Sequence, residues 1–144
     1  MMQELHGYYL EDLEVGMSAS YAKTITDADV ILFAGISGDN NPIHINDEYA
    51  QTTPFKQRIV HGMFSAALIS TVAGTRLPGP GAIYVDQQLK FKAPVHIGDT
   101  ARASLTVTEI DERRRRVKCR TDVHVGEKLV ATGEGTFMVD RREA

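Results

Sequence analysis

One stretch concentrates the side chains that do chemistry. Ser37-Gly38-Asp39-Asn40-Asn41-Pro42-Ile43-His44 carries a carboxylate, an imidazole and two carboxamides beside a glycine and a proline. Pro42 fixes its own φ and removes a backbone donor, so regular structure is interrupted there. Gly38 permits close backbone approach or positive φ. Asp39 and His44 do not have the three- or four-residue spacing that shares a helix face. A turn through Asn41-Pro42 folds them toward a common point. A carboxylate and an imidazole held together are the parts of a general acid/base site. The same residues are also ordinary turn chemistry, in which Asp or Asn bonds its own backbone. Residue types alone leave both readings open.

The flanking pattern supplies the elements that must hold this stretch. Small, aromatic and β-branched residues over 18–24 predict a first strand. Thr26 with Asp29 forms a variant capping box, predicting a helix over 28–36 with Val30, Ile31, Phe33 and Ala34 available for burial. That helix ends at Gly35 to Gly38 and delivers the chain to Asp39. Asn46 opens a further short helical turn through Ala50. Residues 61–74 are apolar nearly all round, interrupted by Ser65, Ser70 and Thr71, which predicts a buried helix. It is too short to span a bilayer. Leu77-Pro78-Gly79-Pro80-Gly81 reads as a rigid loop. Alternation then predicts strands over 82–92, 100–110, 117–125 and 129–139, with a break near Gln87 and a turn at Gly126-Glu127-Lys128. These are expected to form an antiparallel meander. The whole is an α+β chain with one buried helix, expected to be a single domain over 1–144.

The central stretch resembles the signature of the (R)-specific enoyl-CoA hydratases, the MaoC-like branch of the hotdog superfamily. The matching positions are Phe33, Ile36, Ser37, Gly38-Asp39, Asn41-Pro42, Ile43, His44 and Ala50. The resemblance extends through Ile59-Val60-His61-Gly62-Met63 and Phe91-Lys92-Ala93-Pro94-Val95. It implies a hotdog fold, a curled antiparallel sheet wrapped round the central helix. The implied activity is reversible addition of water to a trans-2-enoyl-CoA, equally dehydration of a (3R)-hydroxyacyl-CoA. Such enzymes route fatty-acid intermediates toward polyhydroxyalkanoate or serve other acyl-CoA pathways. The reaction needs a base for water, a proton for Cα and a donor for the thioester oxygen as an enolate forms. The resemblance gives the catalytic roles to Asp39 as base, His44 as the partner that holds the water, and Gly62 as the backbone donor at the helix start. A glycine selected by tight packing is the bland reading of Gly62. Asn41 is expected to lock the loop and His61 to pack beside the site, while Ser70 is open between orienting Asp39 or the water and bonding back to its own helix. No metal and no cofactor is expected, coenzyme A being part of the substrate. A homodimer or dimer-based oligomer is expected. Relatives with the same motif dehydrate branched or carboxylated 3-hydroxyacyl-CoAs. A hotdog thioesterase usually carries its acid on the central helix, and 63–74 holds no Asp or Glu. A non-catalytic acyl-thioester-binding subunit typically lacks the Asp/His pair.

Composition narrows the remaining classes. The chain has 144 residues, enough for a real core, with 42% hydrophobic and 24% charged residues. A net charge of −3 argues against nucleic acid as a partner. A single cysteine, Cys119, cannot form an internal disulfide, which fits a reducing cytoplasm, and its strand position reads as packing. No long apolar run predicts a signal peptide or a membrane helix. Arg113 to Arg116 reads as a solvated hairpin connection, whereas Lys56, Arg58, Lys90 and Lys92 lie nearer the motifs as candidates for coenzyme A phosphates.

Overall fold

The computed structural model describes residues 2–142. Five antiparallel strands form one curled sheet in the order β1-β3-β4-β5-β2. They are β1 (Ser18–Thr24), β2 (Ile83–Phe91), β3 (Thr100–Asp111), β4 (Arg116–Val125) and β5 (Lys128–Met138). The helices are α1 (Asp27–Ser37), α2 (Pro42–Ile45), α3 (Asp47–Gln51) and α4 (Gly62–Thr75). The sheet wraps α4, giving the hotdog arrangement.

β3 and β4 are built for that job. Along β3, Ala101, Ala103, Leu105 and Val107 are buried while Thr100 and Arg102 on the alternate positions stay exposed. Alternation at period two puts these four on the helix-facing side. Val117, Cys119, Thr121 and Val123 do the same on β4. Against them lie Leu68, Ile69, Val72 and Ala73 of α4. Burial pushes the Cys119 thiol up to about 12, so it behaves as a small apolar side chain.

Two expectations change. The strands after α4 are not one meander. Only β3, β4 and β5 run as neighbours, and β2 lies on the far side of β5 at the sheet edge. Gly133 explains the close pairing. A Cβ there would sit 1.8 Å from the Gln88 carbonyl oxygen, so only glycine at this β5 position lets the β2 backbone approach so closely. At Gly135 a Cβ would instead meet the end of the Gln87 side chain, 2.5 Å from Oε1. The irregularity in β2 falls between Tyr84 and Asp86, just before Gln87. The helix α4 is also not buried all round. Met63 is 61% exposed, and Ala67, Ser70 and Gly74 face outward. On α1, Val30 and Ala34 are buried but Ile31 is half exposed.

Candidate functional site

The loop that carries Asp39 is tied at every step. Thr26 caps α1, its Oγ1 accepting from Asp29 N while Asp29 Oδ2 accepts from Thr26 N. Gly38 closes the helix at φ 80°, a left-handed conformation that glycine adopts without strain. Ser37 Oγ accepts from Asp39 N at 3.1 Å, and Asp39 Oδ1 accepts from Asn41 N at 3.3 Å. Asn41 Oδ1 then accepts from Ile43 N at 3.2 Å and caps the one-turn helix α2, with Pro42 at its first position. Asn41 thus ties the loop to the start of α2 through its side chain. Asp39 itself stays exposed.

His44 sits on α2, not on the loop, and it is buried at 8% exposure. A carbonyl only accepts, so the 2.7 Å contact to Ile59 O fixes the proton on His44 Nδ1. The neutral ring then offers a bare Nε2. Desolvation is the main cause that holds the His44 pKa below its usual 6.5, helped by the neighbouring His61. The Ile59 carbonyl and Asp39 pull the other way without reversing it. His44 is thus a neutral acceptor near pH 7.

His61 joins the two halves. It is 1% exposed, and its Nε2–H donates to the Asp39 carbonyl at 2.9 Å. Its ring stacks on His44 with centroids 3.8 Å apart, and Phe33 packs beside it at 4.9 Å. Donor atoms of Asp39, His44 and His61 lie within 4.8 Å of one another. Metal binding requires lone pairs that converge in the ring planes. Two imidazoles stacked at 24° direct theirs along nearly parallel planes, a poor fit to a shared ion. One water fits better, because two hydrogen bonds of about 2.8 Å span such a gap. Asp39 and His44 Nε2 both accept, so that water would spend both hydrogens on them and leave its lone pairs free to attack.

Gly62 follows His61 and is the first residue of α4. First-turn N–H groups lack intrahelical acceptors and sit at the positive end of the helix dipole. A Cβ on Gly62 would lie 3.0 Å from Phe91 Cε1, which supports the tight-packing reading. Ser70 is exposed two turns further on, and no hydrogen bond joins it to Asp39 among the described residues. Instead Ser65, one turn from Gly62, is buried at 3% and lines the same cavity as Gly62.

A family model for the MaoC-like domain matches residues 12–128. The chain belongs to the MaoC-like family. An (R)-specific enoyl-CoA hydratase of Rhodospirillum rubrum is 58% identical over 135 residues, 94% of each chain. A 3-hydroxybutyryl-CoA dehydratase of Methylorubrum extorquens is 47% identical over 143 residues, 99% of this chain and 91% of that one. Among solved structures, the unliganded R-hydratase PhaJ1 from Pseudomonas aeruginosa matches with a TM-score of 0.89 at 44% identity, covering 94% of this chain and 88% of that one.

Several residues of this MaoC-like chain escape sequence reasoning. Arg58 is no free phosphate ligand. Its Nε donates to the His44 carbonyl at 2.7 Å and its guanidinium pairs with Asp27 at 2.6 Å. It pins α2 to α1. Ile59 sets the His44 tautomer through its backbone, which no side-chain pattern reveals. Ser65 carries a signal that was available, its one-turn spacing from Gly62.

Proposed function

We propose that this chain is an (R)-specific 2-enoyl-CoA hydratase, running in reverse as a (3R)-hydroxyacyl-CoA dehydratase. One observation carries the reading: a carboxylate oxygen of Asp39 and a ring nitrogen of His44 lie within 4.8 Å of each other, a gap that one water can bridge, and Gly62 at the start of α4 follows their neighbour His61. The names of the two relatives support it, one a hydratase and one a dehydratase of the same reaction.

This reading assigns the following steps. The thioester oxygen accepts from the Gly62 N–H, where the helix dipole favours the developing enolate. Water held by Asp39 and His44 attacks Cβ as Asp39 takes its proton. The same proton, or one relayed through His44 Nε2, is delivered to Cα. Run backward, these groups remove a Cα proton and expel water. His61 fixes the backbone of one partner and the ring of the other. Lys92 lines the cavity beside Gly62, which supports a contact with the coenzyme A moiety in this reading. No metal or further cofactor enters this scheme.

The test uses purified protein and crotonyl-CoA. Loss of conjugated-enoyl absorbance without thiol release, giving the (3R) alcohol, is expected. Thiol release marks a thioesterase, and a (3S) product or no reaction contradicts the assignment.

A further inference from the structure

Two cavities meet at the Phe91 ring, which lies against Gly62. One, of about 460 Å3, has Lys92 in its wall. The other, of about 630 Å3, runs between α4 and β2. Near Gly62 this second cavity is apolar, faced by Phe33, Met63, Leu89 and Phe91. Further along β2 it becomes polar at Gln87 and Tyr84. We propose that the second cavity takes the acyl tail of the thioester, and that Gln87 limits how long that tail can be. This rests on the hydratase reading above.

Strand geometry places Gln87 in line with the tail. Residues 87, 89 and 91 alternate onto one face, and the register shift between Tyr84 and Asp86 brings Tyr84 to the same side. Gln87 is held on three sides. Its Oε1 accepts from the Tyr84 hydroxyl at 2.5 Å, and its Nε2 donates to Thr121 Oγ1 at 2.8 Å and to the Gln88 carbonyl at 2.9 Å. Thr121 is fully buried on β4, and the Tyr84 ring packs on Phe137 at 4.5 Å. Desolvation pushes the Tyr84 hydroxyl up to about 12, so it remains a donor at physiological pH. Gly135 leaves the space in which the Gln87 amide oxygen sits.

Such an amide is a stiff stop. Both amide hydrogens are used, and displacing it would leave the buried Thr121 hydroxyl without its donor. Methylenes pressed against it gain less than methylenes on apolar walls. From Phe91 to Gln87 is four strand residues, roughly 13 Å. With C–C bonds of roughly 1.5 Å in a zigzag, a tail of about ten carbons is the first to reach it. A crotonyl group ends well short, near Leu89.

The experiment compares kcat/KM for trans-2-dodecenoyl-CoA and crotonyl-CoA in the wild type and two variants. Gln87→Ala removes the stop. Tyr84→Phe keeps the ring on Phe137 and only releases the amide, so it stands in should Gln87→Ala fail to fold. A methylene admitted to an apolar pocket is worth about 10–200-fold in such a ratio. The dodecenoyl-to-crotonyl ratio is therefore expected to rise about tenfold or more in Gln87→Ala and about threefold in Tyr84→Phe. A ratio within twofold of wild type in folded variants overturns the inference, and so does a change confined to oligomeric state. Hydration of crotonyl-CoA with an unmoved ratio leaves the hydratase reading standing. A wild type that hydrates neither substrate overturns both.

Discussion

His44 shows how burial and function are linked in a single side chain. Its pKa is depressed by desolvation against the opposing influence of Ile59 O and Asp39. The sign has a consequence for stability. As pH falls through 6.5 the unfolded chain takes up a proton that folded His44 still refuses, so stability declines until the folded pKa is reached and then levels. By NMR, the His44 midpoint should lie below 6.5 and fall further in Asp39→Asn, which removes an influence that raises it. A midpoint above 6.5 contradicts the neutral-acceptor role. His61 acts through both partners. His61→Ala should lower kcat roughly 10–100-fold, the scale of a misplaced catalytic group, with a smaller change in KM. His61→Gln, which retains a side-chain N–H donor, should recover part of it. Unchanged kcat in folded His61→Ala would remove its positioning role. The Asp39 and His44 pair is legible in the sequence because its types are unusual together. What makes the two converge is not. Ile59 lies 15 residues from His44, and His61 lies 22 from Asp39. Local patterns carry no information about contacts at that range. His44 is buried on α2, so its substitution must be judged with Tm beside kcat.

The helices and strands were legible wherever one face is covered by the chain itself. β3 alternates because α4 lies on one side of it, and the Thr26–Asp29 box marks the start of α1. The pairing of β2 with β5 was hidden because it depends on Gly133 making room for the β2 backbone, a steric fact with no period. The exposed side of α4 was misread because hydrophobicity says that a face needs cover, not what covers it. Gly62 belongs to this scale, since the donor role proposed for its N–H depends on its place at the helix start. Gly62→Ala should lower both Tm and kcat, the second by up to about 10²–10³ if the oxyanion donor is displaced. Adding Phe91→Leu removes the ring atoms that the new Cβ would meet. Tm should then recover while kcat does not. Full recovery of kcat along with Tm would reduce Gly62 to a packing role.

At the scale of the whole molecule, the sheet ends in an unpaired edge. The outer side of β2 has no neighbour among the described residues, and Ile83 and Val85 of this strand are each about half exposed. Met63 on α4 and Leu32 and Ile36 on α1 add to the uncovered apolar surface. Monomers rarely leave such an edge open, so a second copy of the chain is the proposed cover. Light scattering at micromolar concentration should give twice the 15.9 kDa chain mass. A fully active monomer would contradict this. The central claim is that one water is shared by Asp39 and His44, and a double-mutant cycle with crotonyl-CoA tests it most directly. Asp39→Asn and His44→Gln should each lower kcat by roughly 10²–10⁴. Because both groups act on the same water, the double variant should fall by far less than the product of the two losses. Losses that multiply, or near wild-type turnover in folded Asp39→Asn, would contradict the shared-water account.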